Sequence, residues 1–305
     1  MRRPTKRTPP PRGASRPAAR ARTSASTLPR AATRAAAIVG IAALICLLAV
    51  LGRCGTFAAD ESAPAPYASP YDWTALERTA DRLAYVEGGE VRSQLGVDVS
   101  EHQGAIDWQA VAADGIDFAF VRVGNRGYTE GALYADARYA ENLDGAEAAG
   151  LAVGAYFFSQ ATNADEAREE ADFVVDLLAG RSLALPVVFD HEPVSDGAGR
   201  ANDLDGQTLA DCMAAFCERL EAAGYDTMVY GNRSDMARFC VIDGTQTAAE
   251  RLDETLGHRP VWFAEYDAAV PNAQFDFAIW QYTNDGSVVG ISTAVDLDLL
   301  LPAAP

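Results

Sequence analysis

The chain has 305 residues, and its 25 Lys or Arg and 43 Asp or Glu are unevenly distributed. Residues 1–34 carry nine Arg and Lys6 and have no acidic residue. The part after Arg53 contains 14 Arg and all 43 acidic residues, so its formal charge is −29. So acidic a main part has no electrostatic attraction to an anionic polymer, and we expect no nucleic-acid partner.

The first 34 residues are rich in Pro, Arg, Ala, Ser and Thr. Such a composition cannot bury a hydrophobic core, and it predicts a disordered basic tail. Beside a membrane, its positive charges favour the cytoplasmic face and anionic headgroups over nucleic acid.

An apolar segment, AAAIVGIAALICLLAVLG, runs from Ala35 to Gly52 without a charge. This length is just sufficient to span a bilayer as a helix. The positive charges before it predict an N-terminus in the cytoplasm and an acidic part outside the membrane. A retained single-pass anchor is the favoured interpretation, because no A-x-A motif precedes the best cleavage position near Phe57. The alternative is a signal peptide with a long basic n-region, which would leave the protein secreted.

Residues 53–94 are predicted to form an extracytoplasmic linker, and residues 95–305 the main domain. Within the linker, DESAPAPYASPY has the Pro, Ala and Ser content of a tether. A short helical pattern over Trp73–Val86 predicts a helix that packs on the domain or extends the stalk.

The five cysteines give no disulfide framework. Cys212 and Cys217 belong to the apolar stripe of a predicted helix, which favours buried thiols. The sequence leaves open whether Cys240 pairs with one of them. The three His lack the spacing of metal ligands, so we predict no metal and no cofactor.

From Leu95 onward, strand-like apolar runs alternate with helical patterns. The predicted strands are Leu95–Val99, Phe118–Val123, Ala152–Phe158, Leu185–Asp190, Thr227–Tyr230, Val261–Ala264 and Phe277–Gln281. The predicted helices are Trp108–Asp114, Tyr134–Ala149, Ala164–Leu178, Leu209–Ala223 and Ala248–Leu256. This alternation over about 200 residues predicts an α/β fold, an irregular TIM-like β/α barrel of parallel strands. We expect the irregular part between Tyr230 and Pro260, where the helical patterns are weak.

The run LPVVFDHEPV ends with two carboxylates, Asp190 and Glu192, two residues apart. Alternate side chains of a strand share a face, so both acids are expected on one face and His191 on the other. Burying one carboxylate beside another raises at least one pKa, and such a pair needs a cationic partner or a catalytic role. The nearest cations in sequence are Arg181 and Arg200. Two solvated acids at a strand end are the alternative interpretation.

In barrels of this kind the chemistry lies at the carboxyl ends of the strands. Those ends carry acids, aromatics and amides rather than a His, Cys or metal cluster: Asp98, Arg122, Tyr156, Phe158, Asp190, Glu192, Tyr230, Glu265, Tyr266, Gln281, Tyr282 and, in a last short strand, Asp296. Carboxylates supply a general acid and a charge that stabilises an oxocarbenium-like transition state, and rings stack on sugar faces. The pattern therefore favours a polysaccharide cleft, with core packing as the alternative for each ring.

The segment GVDVSEHQGAIDW, Gly96–Trp108, resembles the opening motif of the family 25 glycoside hydrolases, lysozymes that cleave peptidoglycan. Five later segments resemble the family in order: GIDFAFVRVGNRGY, AAGLAVGAYFFSQATNADEAREEADF, VVFDHEPV, VWFAEY and IWQYTNDGSVVGISTAVDLDL. The likeness extends over residues 95–300. Family 18 chitinases also carry an Asp-x-Glu pair at a strand end, but Val187 and Val188 stand here in place of their preceding spaced Asp residues.

The resemblance implies a role for each matching residue. Glu192 matches the general acid, Asp190 the acid beside it, Asp98 the acid of the first strand and Asp296 an acid near the end of the domain. The substrate-binding residues, taken from the resemblance or from the strand ends, are Tyr156, Phe158, Gln103, Arg122, Trp262, Tyr266 and Gln281. His191 departs from the aromatic or aliphatic residue of related sequences, and it is expected to point away from the cleft.

The implied reaction is hydrolysis of the β-1,4 bond between N-acetylmuramic acid and N-acetylglucosamine by a monomer that acts on peptidoglycan strands. Glu192 would protonate the leaving oxygen, and the 2-acetamido group of the substrate would attack while Asp190 stabilises its charge. Direct displacement and inversion stay open as alternatives. Two other functions are a wall-binding module without catalysis and a glycosidase for another N-acetylated glycan such as chitin.

Overall fold

The structure is a computed structural model, and it describes residues 67–80, 82–194, 199–239 and 248–303. The predicted basic tail, the apolar segment Ala35–Gly52, most of the tether and Cys240 lie outside these residues. In the described ranges, no helix has the length and apolar character needed to cross a membrane.

The described residues form twelve strands and six α-helices. The strands are β1 (Leu76–Thr79), β2 (Arg82–Glu87), β3 (Glu90–Val91), β4 (Gln94–Val99), β5 (Phe118–Arg126), β6 (Leu133–Ala135), β7 (Ala152–Phe158), β8 (Val187–Asp190), β9 (Thr227–Asn232), β10 (Val261–Ala264), β11 (Ile279–Gly286) and β12 (Val295–Leu300). The helices are α1 (Trp108–Ala113), α2 (Tyr139–Ala148), α3 (Ala164–Leu178), α4 (Gly206–Glu221), α5 (Arg233–Phe239) and α6 (Ala248–Thr255).

Eight strands close into a barrel, in the order β4, β5, β7, β8, β9, β10, β11 and β12. The short strand β6 pairs with the carboxyl end of β5. Neighbours from β4 round to β11 are parallel, whereas β12 runs antiparallel to both β11 and β4. The predicted β/α barrel is confirmed. Between Tyr230 and Pro260, where the irregular part was expected, the described residues include α5 and α6, and residues 240–247 lie outside them. Residues 265–278 and 287–294, all of them described, connect the last three strands without a helix.

Aromatic rings fill the barrel interior. Phe118 and Phe120 point inward, and the ring of Phe120 stacks on Trp262 at a centroid distance of 4.7 Å. Two glycines on neighbouring strands leave room for these rings. A Cβ at Gly96 would lie 2.2 Å from the ring of Phe118, and one at Gly154 would lie 2.3 Å from that of Phe120. The interior is therefore a packed core rather than a pore.

The outer layer packs the helices on the other face of the strands. Phe189 of β8 contacts Phe216 of α4 with ring centroids 5.3 Å apart, while its neighbour Val188 belongs to the interior cluster. Cys212 and Cys217 of α4 are buried free thiols, which confirms the apolar stripe predicted for this helix.

The helix predicted over Trp73–Val86 is wrong. Trp73–Ala75 forms one 3₁₀ turn, and the segments 76–79 and 82–86 belong to the antiparallel sheet β1–β2–β3. Leu83 and Tyr85 are buried two residues apart, which is the period of a strand. Trp73 stacks on Phe277, just before β11, at 6.1 Å. Packing against the barrel thus overrides the helical pattern, as tertiary contacts commonly do.

Candidate active site

A cavity of about 250 Å³ opens at the carboxyl ends of the parallel strands. Eleven residues line it: Asp98, Arg122, Tyr156, Phe158, Asp190, Glu192, Tyr230, Trp262, Tyr266, Gln281 and Asp296. Ten of these are the predicted site residues, and Tyr230 belongs to the strand-end pattern. Gln103 is not among them. Its Oε1 accepts a hydrogen bond of 2.9 Å from the backbone of Ser100, so it caps a 3₁₀ turn instead.

The alternation of side chains along the strands explains this convergence. On β8, Val188 points into the barrel, and Asp190 occupies the next inward position at the strand end. Asp190 stands in register with Phe158 on one side and Tyr230 on the other, so three cavity residues lie at one level.

His191 lies on the opposite face from Asp190, as the alternation predicts. Its ring is buried and stacks on Phe189 at 6.3 Å, and Nδ1 lies 3.3 Å from Nη1 of Arg238. Burial and the nearby charge of Arg238 lower the pKa of His191 to about 4. A neutral imidazole facing away from the cavity has no direct part in chemistry there.

Gln281 connects the first strand to the aromatic side of the cavity. Its Nε2 donates to Oδ2 of Asp98 at 2.7 Å, and its Oε1 accepts from the hydroxyls of Tyr230 at 2.8 Å and Tyr266 at 2.7 Å. Because two hydroxyl donors already use the amide oxygen, the amide nitrogen is fixed toward the carboxylate. Gln281 thus supports Asp98 through one N–H of its amide, while its oxygen holds both tyrosine hydroxyls.

Asp296 reaches the cavity by a route that the sequence interpretation missed. It was expected at the end of a last short strand, but it is the second residue of the six-residue strand β12. Because β12 runs antiparallel, its beginning lies beside the carboxyl end of β4, and Asp296 pairs in register with Asp98. Asp296 lines the cavity, but its predicted position at the end of a strand is wrong.

Two further acids belong to this region and were not predicted. Asp298 faces inward beneath Asp296, is fully buried, and accepts a hydrogen bond of 2.8 Å from Nε1 of Trp262. Asp235 closes the first turn of α5, where its Oδ2 accepts from the backbone of Asn232 at 3.1 Å. The spacing of Asp296 and Asp298 within VDLDLL is the period of one strand face, and this signal could have identified Asp298.

Burial and mutual repulsion keep protons on these acids. Burial raises the pKa of Glu192 to about 7, and the negative charges of Asp235 and Asp296 add to the effect. Burial likewise raises the pKa of Asp296 to about 6. The pKa values of Asp98 and Asp190 also lie well above their usual range, first through burial and then through neighbouring carboxylates. The site therefore retains carboxylic acids at pH values where exposed ones are ionised.

Arg122 is the only cationic side chain among the eleven lining residues. Its Nε and Nη2 each lie 2.9 Å from Oδ2 of Asp136, which holds the guanidinium at the cavity wall, and its charge opposes the rise in the pKa of Asp190. The cations nearest in sequence do not serve this purpose. Arg181 pairs with Asp144 and Glu147, and Arg200 pairs with Glu166.

We expect Asp298→Asn to stabilise the protein at neutral pH. Burial raises the pKa of Asp298, so the native state holds a proton that the unfolded chain has lost, and wild-type stability falls as pH rises above about 4. Asparagine keeps an acceptor for Trp262 and carries no charge. The free energy of unfolding should therefore rise by about 1–3 kcal/mol at pH 7.5.

Urea denaturation of both proteins at pH 4 and pH 7.5 measures this effect. The advantage of Asp298→Asn should shrink toward pH 4, where the wild-type carboxyl is protonated in the native state and about half protonated in the unfolded chain. The exposed Asp285 gives the matched control, Asp285→Asn, for which the change should be small at both pH values. A destabilised Asp298→Asn protein at pH 7.5 would contradict the argument.

Comparison with known proteins identifies the family. The family model "Glycosyl hydrolases family 25" matches residues 97–291. The chain is 29% identical over 203 residues to the autolytic lysozyme of Clostridium acetobutylicum, which covers 67% of this chain and 54% of that protein. It is 30% identical over 207 residues to Lysozyme M1 of Streptomyces globisporus, which covers 66% of this chain and 65% of that protein.

The chain thus spans between about half and two thirds of the length of these curated relatives. Among solved structures, the bacterial lysozyme from Streptomyces coelicolor is 26% identical, with a TM-score of 0.52 and coverage of 69% of this chain and 94% of that chain. The family model covers the barrel from its first strand to the loop before its last, and the chain belongs to glycosyl hydrolases family 25.

Proposed function

We propose that this protein is a peptidoglycan hydrolase that cleaves the β-1,4 bond between N-acetylmuramic acid and N-acetylglucosamine, with Glu192 as the general acid. The observation that carries the proposal is the position of Glu192. It lines the strand-end cavity of a family 25 barrel, and its pKa is raised to about 7. A general acid works best when its pKa lies near the working pH.

In the first step, Glu192 donates its proton to the glycosidic oxygen, which leaves as the hydroxyl of the departing sugar. Positive charge then develops at the anomeric carbon of the sugar that remains. Once it has lost its proton, the carboxylate of Glu192 acts as the base that removes a proton from the incoming water. The second step restores the acid for the next cycle.

Asp190 has the role of stabilising charge during this reaction. Its carboxyl is buried, and Oδ1 has no hydrogen-bond partner among the described residues. An unpaired buried acceptor is costly, and it is satisfied when a donor such as the N–H of the substrate's acetamido group arrives. The same donor favours the ionised form of Asp190 against the burial that raises its pKa. This arrangement favours attack by the acetamido oxygen. Direct displacement by a carboxylate and single-step inversion remain the alternatives.

The aromatic residues of the cavity divide into packing and binding groups. Trp262 is buried at the floor, between Phe120 and the edges of Tyr156 and Tyr230, so it shapes the site. Tyr266 is 39% exposed at the rim and is the ring best placed to stack on a sugar. Its hydroxyl is held by Gln281, which fixes the plane of that ring.

The place of action follows from the proposed substrate. A wall hydrolase must work outside the cytoplasm, and the predicted anchor Ala35–Gly52 would hold the acidic domain there as a single-pass membrane protein. Secretion after signal cleavage remains the alternative. Since the domain has no electrostatic attraction to an anionic wall, its binding to the glycan would depend on contacts within the cleft.

Digestion of purified peptidoglycan and of colloidal chitin in parallel tests the proposed function. The wild type should release fragments with N-acetylmuramic acid at the new reducing end, identified by mass analysis, and should leave chitin intact. Glu192→Gln protein from the same preparation excludes a contaminating hydrolase. Release of N-acetylglucosamine ends or turnover of chitin would favour another glycan. Binding without new reducing ends would indicate a wall-binding module.

A further inference from the structure

A buried polar cluster lies behind the strand end that carries Asp190 and Glu192. It consists of Ser159 and Gln160, which follow β7, together with Glu170 of α3 and Arg126 of β5, and we name it the Gln160 cluster. Ser159, Gln160 and Glu170 are fully buried, and Arg126 is nearly so. None of the four lines the cavity, so none contacts a substrate there.

The front of the Gln160 cluster bonds to the backbone of both acids. The N–H of Ser159 donates to the carbonyl of Asp190 at 2.7 Å, and Nε2 of Gln160 donates to the carbonyl of Glu192 at 3.0 Å. β8 ends at Asp190, so the sheet ladder does not reach Glu192. The amide of Gln160 therefore holds the backbone of Glu192, the proposed general acid, two residues beyond the end of the strand.

The back of the Gln160 cluster is fixed by a buried carboxylate. Glu170 accepts hydrogen bonds from Oγ of Ser159 at 2.6 Å, from the backbone N–H of Gln160 at 3.3 Å, and from Nε of Arg126 at 2.8 Å. Arg126 in turn donates to the carbonyl of Gly131 at 2.7 Å. Glu170 therefore connects residues 159 and 160 to a second strand and a helix, which restricts their movement.

A purely structural role explains this arrangement poorly. Oε1 of Gln160 is buried and has no partner among the described residues, which costs about 1–3 kcal/mol. A methionine would fill nearly the same volume without that cost, but it has no donor for the carbonyl of Glu192. The amide nitrogen makes two hydrogen bonds of 3.0 Å, a local one to the carbonyl of Ser159 and a distant one to the carbonyl of Glu192, and only the second connects Gln160 to the acid.

We propose that Gln160 is a positioning residue for hydrolysis: through Nε2 it fixes the backbone of Glu192, and with it the direction in which the carboxyl faces the glycosidic oxygen. Ser159 and Glu170 hold Gln160 in place. The inference rests on the proposed function, because it assumes that Glu192 donates the proton. Misplacement of a reacting group by about 1 Å can reduce a rate about 100-fold.

The test compares full-length wild type with Gln160→Met and with a matched control, Asn142→Leu. Asn142 is an equally buried amide on α2, outside the site, and its Nδ2 has no partner among the described residues. We expect Gln160→Met to lose about 10–100-fold in kcat on peptidoglycan with KM within about threefold. Asn142→Leu should keep the wild-type kcat.

A second readout separates positioning from loss of stability. A glycoside with an activated aryl leaving group needs little proton donation, so Gln160→Met should retain most of its kcat on that substrate. Ser159→Ala removes one bond to Glu170 but keeps its backbone bond to Asp190, and it should lose a few-fold in kcat on peptidoglycan. Melting temperatures confirm that each variant is folded at the assay temperature.

The outcomes separate the two proposals. A wild type that does not hydrolyse peptidoglycan overturns the proposed function. An active wild type with Gln160→Met equal to Asn142→Leu in kcat, or with equal losses on both substrates, overturns the positioning role. If Gln160→Met does not fold, Ser159→Ala decides: a few-fold loss confined to peptidoglycan supports the role, and an unchanged kcat overturns it.

Discussion

Replacing Glu192 with glutamine should reduce kcat on peptidoglycan by about 10²–10⁴-fold, which is the usual contribution of general acid catalysis. Glutamine keeps the shape of the side chain but has no acidic proton to transfer. Because the acid acts in the transition state and not in substrate binding, KM should change little. The loss corresponds to roughly 3–5 kcal/mol of activation free energy.

The pH dependence gives an independent check on Glu192. Its pKa is raised to about 7, so the pH–rate profile of the wild type should have a basic limb near pH 7. Above that pH, kcat/KM should fall because the acid loses its proton. That limb should be absent from Glu192→Gln. Glu265→Gln is the matched control, since Glu265 directly follows β10 but does not line the cavity. A Glu192→Gln enzyme within a few-fold of the wild type would contradict the assignment.

Most of the site could be predicted because strand periodicity is a local property. The β7 and β10 runs are bounded as predicted, and inward side chains near the end of each strand reach the cavity, Tyr156 and Phe158 on β7 and Trp262 on β10. The rule needs only the strand end and the alternation of side chains. It correctly separated Asp190 from His191 for the same reason.

The remaining features depend on contacts that are distant in sequence. Asp296 reaches the rim only because β12 runs antiparallel, and a local pattern cannot reveal strand direction. Gln103 matched the family but caps a turn. The helical pattern over Trp73–Val86 became a sheet because Trp73 packs on Phe277, some 200 residues away. In each case the deciding contact lies between segments that local propensity treats separately.

The cation nearest to the acid pair in the fold could not be predicted from sequence neighbours either. Arg122 lies far from Asp190 in sequence, and the parallel neighbours β5, β7 and β8 bring the two residues to one rim. Its charge only partly offsets the burial of Asp190, so the carboxyl keeps a raised pKa. The pair of acids is therefore a protonated group under mild acid conditions, and this property leads to the last prediction.

Replacing Asp190 with asparagine should reduce kcat by about 10²–10³-fold, the range for losing one electrostatic contact to charge that develops in the transition state. It should also move the basic limb of the pH–rate profile to lower pH. An ionised Glu192 raises the pKa of Asp190, second to burial. Repulsion between two carboxylates is reciprocal, so an ionised Asp190 would hold the proton on Glu192 in the same way. Without that charge, Glu192 alone releases its proton at a lower pH.

Measurement of kcat/KM on one peptidoglycan preparation from pH 4 to pH 8 tests both effects, with Asp285→Asn as the exposed control. The two effects have different causes, and the profile separates them. If the maximal kcat/KM of Asp190→Asn falls but the basic limb stays at the wild-type pH, Asp190 stabilises charge but is not coupled to Glu192. If the basic limb moves to lower pH but the maximal kcat/KM is unchanged, Asp190 is coupled to Glu192 but does not stabilise charge. A wild-type profile for Asp190→Asn would remove Asp190 from the mechanism and leave the buried pair without a catalytic reason.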